Sequence, residues 1–102
     1  MKTLADIRRF SEKYIERKLR EEVEKRGGIC LKFQSMTDTG YPDRIILLPL
    51  GMISFVELKT RGKKPTKLQM MRHTQLRKMG FPVFVIDDSE NIINILNEIQ
   101  AV

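Results

Sequence analysis

The chain has 102 residues, 41% of them hydrophobic and 31% charged, with 19 Lys and Arg against 13 Asp and Glu for a formal charge of +6. That length makes one domain over 1–102 the natural count, the composition is not that of a disordered chain, and no apolar run approaches the roughly 20 residues of a membrane span. A single cysteine, Cys30, and a single histidine, His73, exclude an internal disulfide and a Cys/His zinc cluster, so a bound metal would need carboxylate ligands.

The start, "MKTLADIRRF", lacks the uninterrupted apolar segment of a secretory signal, which predicts a cytoplasmic protein. Residues 4–26 predict one amphipathic helix, with Leu4, Ile7, Phe10, Tyr14, Ile15, Leu19 and Val23 on a broad face and Gly27-Gly28 as its stop. "ICLKF" (29–33) alternates as a short strand, and "QSMTDTGYP" is a polar loop. "RIILLPL" (44–50) and "MISFVELK" (52–59) predict a hairpin turning at Leu50-Gly51, with Pro49 tolerated beside the turn. After the basic loop "TRGKKP", Thr66 opens a second helix with Leu68, Met71, Arg72, Leu76 and Met79 at helical spacing, ending at Gly80. "FPVFVID" (81–87) reads as a buried strand, and Ser89 caps a last helix carrying Ile92, Ile93, Leu96 and Ile99. The order α-β-β-β-α-β-α predicts an α/β fold, a small mixed sheet flanked by helices.

A hairpin hinged at Leu50-Gly51 pairs residues whose numbers sum to about 100 or 101, which puts Asp43 opposite Glu57 or one place away. Alternation puts Glu57 and Lys59 on one face of their strand. Such a cluster of two carboxylates and a lysine fits metal-dependent phosphodiester hydrolysis, with Mg²⁺ or Mn²⁺ as the cation that oxygen ligands prefer. Taken singly, Asp43 also reads as a turn residue, and Glu57 with Lys59 as an exposed ion pair; it is their joint placement that points to chemistry. From Lys59 to Gly80 there are eight Lys and Arg and no acid, the footprint of a phosphate-binding surface. Within it Arg61, Lys63, Lys64 and Lys67 are placed to reach backbone phosphates. Phe33, Phe55, Phe81 and Phe84 fall in predicted strands and read as core, whereas Tyr41, in the loop beside Asp43, is placed to touch substrate.

"GYPDR" followed by "ELK", with thirteen residues between Asp43 and Glu57, resembles the motif of the PD-(D/E)xK nuclease superfamily. More closely, residues 12–88 resemble a stand-alone VRR-NUC domain of phage or bacterial type, in a helix with a glutamate before Gly-Gly, then "G-x-PD", "FVELK", "GKKPTKLQ" and "LRKMGFPVFVID". The resemblance implies a restriction-endonuclease-like core and a metal held by Asp43, Glu57 and the backbone carbonyl of Leu58. It makes Lys59 the catalytic lysine, with Glu16 and Gln69 completing the site. Glu12, about 40° from Glu16 around the helix, rivals it as the helix carboxylate, and Thr66-x-x-Gln69 also reads as a capping box. His73, one turn beyond Gln69, reads more readily as surface or core than as catalytic.

The function this predicts is a Mg²⁺- or Mn²⁺-dependent DNA endonuclease of a bacterial or phage-infected cell, selective for branched DNA such as a four-way junction. A homodimer would set two sites on opposite strands. No membrane and no organic cofactor are expected. The alternatives are a non-catalytic nucleic-acid-binding module and a nuclease subunit that needs a partner protein to deliver its substrate.

Overall fold

In the computed structural model, which describes residues 3–101 apart from the side chains of Ala5 and Asp6, the opening amphipathic run divides into α1 (Leu4–Arg8) and α2 (Glu12–Lys25). The expected single helix over 4–26 is corrected at Ser11. Its extended backbone starts a new helix, and its hydroxyl accepts a hydrogen bond from the Tyr14 amide at 3.4 Å.

Four strands follow the expected order: β1 (Ile29–Lys32), β2 (Arg44–Leu48), β3 (Met52–Leu58) and β4 (Val83–Ile86). They lie side by side as β1-β2-β3-β4, antiparallel except for the parallel β3–β4 pair. A parallel pair needs a crossover, and α3 (Lys67–Lys78) supplies it. α4 (Ile92–Gln100) follows β4 through a short 3₁₀ turn at Ser89–Asn91. Ser89 is not the cap expected there. Asp88 precedes the turn and accepts from the Glu90 amide at 3.0 Å, and its charge also pairs with Arg9 at 2.7 Å, which an uncharged serine hydroxyl cannot match.

Strand alternation divides the sheet into two unequal faces. On one, Ile46, Leu48, Val56, Leu58 and Ile86 meet Ile15, Leu19 and Val23 of α2 and Ile92 and Leu96 of α4. Burying each of these side chains contributes about 1.5–3 kcal/mol, so slipping a strand by one residue would forfeit the whole set. On α4 it is Ile95 rather than Ile93 that packs against this core. α3 crosses the other face and buries only His73 and Leu76. The expected stripe of Leu68, Met71 and Met79 stays exposed, and Arg72 hydrogen-bonds the Thr39 carbonyl at 3.1 Å instead of joining a core. The β1–β2 part of that face is left open, with Ile29 55% and Leu31 44% exposed.

The β2–β3 turn carries an energetic cost. Pairing of Leu48 with Met52 leaves Pro49, Leu50 and Gly51 in the turn, with φ of 69° at Leu50 and 72° at Gly51. Leu50 is 94% exposed and gains no packing in return for a left-handed backbone that costs a non-glycine residue about 1–2 kcal/mol. Leu50→Asn, which creates an Asn-Gly pair suited to this geometry, is expected to raise stability by about 0.5–1 kcal/mol. Thermal melts check it; a lowered melting temperature would mean that Leu50 has a partner in solution.

Candidate active site

The register of β2 and β3 decides where the motif acids meet. Arg44 pairs with Val56, so residue numbers sum to 100 and Asp43 lies opposite Glu57, just beyond the last pair. Backbone amides on both sides fix Asp43 there: its carbonyl accepts from the Phe33 amide at 2.9 Å, and its Oδ1 accepts from the Leu58 amide at 3.1 Å. In a strand the N–H and C=O of one residue share an edge, so the Leu58 carbonyl is turned toward the same side as Asp43. Asp43, Glu57 and Lys59 project from the sheet face that α3 crosses, opposite to Arg44, Val56 and Leu58.

Glu57 is 4% exposed, and its Oε1 has no hydrogen-bond partner among the described residues. Burial, reinforced by the Asp43 charge, pushes its carboxyl up to about 7; Lys59 and Arg44 pull the other way. A buried, unpaired carboxylate beside a second one is a site short of positive charge. Two carboxylates and a backbone carbonyl are oxygen donors that fit a hard divalent cation. Among the described residues no group of three or more His, Cys, Asp or Glu is gathered to hold one, so backbone and water oxygens would have to complete the shell.

Asp43 and Glu57 open onto a cleft of about 280 Å³ walled by Tyr41 and Gln69. Gln69 forms the capping box: its Oε1 accepts from the Thr66 amide at 2.9 Å, and its own amide donates to the Thr66 hydroxyl at 3.2 Å. That leaves its side-chain NH₂ for the cleft. Tyr41 is stacked rather than free, edge-on to Phe33 with ring centroids 6.3 Å apart, with the Arg72 guanidinium 4.6 Å from its ring centre. Lys63, Lys64 and Lys67 are exposed, and Arg61 rests 4.3 Å over the Phe10 ring.

The two α2 glutamates part company. Glu16 accepts from Arg20 at 2.9 Å and lies 4.0 Å from Arg44, and the Arg20 bond holds its carboxyl below the usual range. Glu12 is exposed, and its charge is among those that push Glu57 up. Two residues that the sequence did not single out for the site belong to its frame. Arg44 is buried, donates to the Asp43 carbonyl at 2.9 Å and lies 3.7 Å from Asp43 Oδ2. His73 is 2% exposed, with Nε2 3.6 Å from Glu57 Oε1. The signals were weak ones: the arginine that directly follows the Pro-Asp pair, and a histidine four residues beyond Gln69 on the same helix face.

No family model matches the chain. A protein of Acyrthosiphon pisum secondary endosymbiont phage 1, named "Putative nuclease p44", is 44% identical over 90 residues, covering 88% of this chain and 96% of that protein. A solved structure titled "VRR_NUC domain" superposes with a TM-score of 0.80 at 31% identity, covering 84% of this chain and 94% of that one. The chain belongs to the VRR-NUC nuclease family.

For this VRR-NUC nuclease a tight steric demand lies at Gly40, just ahead of the Pro-Asp pair. Its φ is +87°, and a Cβ there would sit 2.6 Å from Leu68 Cγ on α3. Gly40→Ala is expected to lower stability by about 2 kcal/mol or more, from left-handed strain plus overpacking, and to displace Asp43 from Glu57. Adding Leu68→Ala should recover the packing part and not the strain. Urea melts of the single and double variants check this; full recovery in the double would show that the backbone at Gly40 tolerates a side chain.

Proposed function

We propose that this VRR-NUC nuclease hydrolyses DNA phosphodiesters with Mg²⁺ or Mn²⁺ held by Asp43, Glu57 and the Leu58 carbonyl, and that its preferred substrate is branched DNA. One observation carries the reading: Glu57 is a buried carboxylate with an unpartnered oxygen beside Asp43, in a chain of formal charge +6. A group with that deficit is stabilised by a cation or a proton, and a surface built for binding alone gains nothing from acids turned toward phosphates.

The bound cation would neutralise charge on the scissile phosphate and lower the pKa of a water. Lys59, on the face of Glu57, supplies an ammonium to orient that water or to offset charge developing on the phosphate. Gln69 offers its NH₂ to water or phosphate. Glu12 becomes the preferred helix carboxylate over Glu16, which Arg20 and Arg44 already engage. Arg61, Lys63, Lys64 and Lys67 hold the DNA backbone and position it without reading sequence, while Tyr41 forms part of the cleft wall.

The open sheet face, with Ile29 and Leu31 of β1 and Ile53 of β3 exposed on a basic chain, supports a homodimer that meets through this apolar surface. Two sites related by a two-fold axis would suit paired cuts across a junction. The test incubates end-labelled duplex, flap, single-stranded and four-way DNA with the protein and Mn²⁺, and repeats each reaction in EDTA. Symmetric paired nicks in the junction, lost in EDTA, are the expected result. Cutting that survives EDTA removes the metal mechanism. Metal binding with no cutting of any DNA replaces this reading with a nuclease that needs a partner protein, and DNA binding with neither replaces it with a binding module.

A further inference from the structure

His73 and Glu57 present two buried polar atoms to each other without completing a bond. Nε2 and Oε1 are 3.6 Å apart, and among the described residues neither has a hydrogen-bond partner. The gap is only a few tenths of an ångström beyond hydrogen-bonding range. Both groups sit on anchored elements. Glu57 is held between two paired strands. α3 is tied down beside His73 by buried Leu76 and by Arg77, which donates to the Val83 carbonyl at 2.7 Å. A buried histidine nitrogen aimed at a carboxylate oxygen is poorly explained by packing, because a leucine would fill that space without stranding a polar atom.

We infer that His73 is a positioning residue for Glu57: its Nε2–H holds Oε1 and fixes the carboxylate, leaving Oε2 as the donor to the cation. Ligating carboxylates are commonly held in this way by a hydrogen bond from behind, and losing the partner weakens metal binding rather than abolishing it. Because α3 carries Gln69 on the cleft side and His73 beneath it, the helix would set both the cleft wall and the ligand's orientation. The inference rests on the reading that Glu57 binds metal, and the experiment separates the two.

Mn²⁺ binding to the full chain is measured by calorimetry for wild type, His73→Gln, His73→Asn and His73→Leu, with thermal melts in EDTA to establish that each is folded. A glutamine amide reaches the place of the imidazole Nε2, an asparagine amide stops short of it, and leucine has no donor. Leucine and asparagine are expected to weaken Mn²⁺ binding by about 10–100-fold, with glutamine within about threefold of wild type. Should the leucine variant fail to fold, the glutamine–asparagine pair decides, and equal affinities in that pair overturn the inference. Wild-type affinity in the leucine variant, or a loss in glutamine equal to that in leucine, overturns it too. If wild type binds no Mn²⁺, the metal reading itself fails and takes this inference with it.

Discussion

Replacing Glu57 with glutamine is expected to abolish cleavage and, above pH 7, to raise the melting temperature of the metal-free protein. Burial and the Asp43 charge push the Glu57 carboxyl from 4.5 up to about 7. Between those values the folded chain keeps a proton that the unfolded chain has released, so stability falls as pH rises through the window and stays low above it. At about 1.4 kcal/mol per unit the full span corresponds to about 3 kcal/mol of destabilisation at pH 8. Glutamine keeps the shape and removes the charge. A gain of about 2 kcal/mol in EDTA at pH 8 corresponds to roughly 10 °C in a domain of this size, and it should fade away as the pH falls below 4.5, where the acid becomes neutral in both states. Mn²⁺ should restore the difference in wild type by binding only its folded form, and should leave the variant's melting temperature unchanged. Equal melting temperatures at pH 8 in EDTA would show that Glu57 carries no destabilising charge.

Lys59→Ala is expected to slow cleavage by about 10²–10³-fold while leaving the metal in place, the scale on which removing one positioned donor acts. Lys59 lowers the proton affinity of Glu57, so its positive charge is felt at that carboxylate. The same charge opposes a divalent cation there. Removing it should therefore leave Mn²⁺ affinity at pH 8 unchanged or tighter even as turnover collapses. Calorimetry and cleavage on one preparation make the comparison. A parallel loss of both would recast Lys59 as support for the site, and unchanged cleavage would remove it from the mechanism.

The fold was readable wherever one period sufficed. Strand alternation and a turn at Leu50-Gly51 are enough to bring Asp43 opposite Glu57, and the observed sum of 100 in the β2–β3 register is that arithmetic. The break at Ser11 was hidden because the apolar spacing continues across it, and only the cap shows that the helix restarts. The α3 stripe misled for another reason: one side of that helix serves the loop before Asp43 rather than the sheet, so Arg72 took a structural role that helical spacing alone cannot separate from core.

Within the site, the illegible part is whatever depends on contacts between elements. Glu12 and Glu16 are one turn apart, and what distinguishes them is that Arg20 and Arg44 engage Glu16, with Arg44 arriving from another element. His73 meets Glu57 only because the parallel β3–β4 connection lays α3 across that end of the sheet. No spacing in the sequence encodes that closure.

Arg72 joins the cleft's two walls. Its guanidinium binds Thr39 and the Tyr41 hydroxyl from α3, while Gly40 abuts Leu68. The loop that ends in Asp43 and the helix that carries Gln69 are thereby fastened to each other through one side chain, so a change at Arg72 reaches both walls of the cleft at once. The glycine-containing stretch from Arg61 to Pro65 has its own anchor, where Arg61 rests on Phe10.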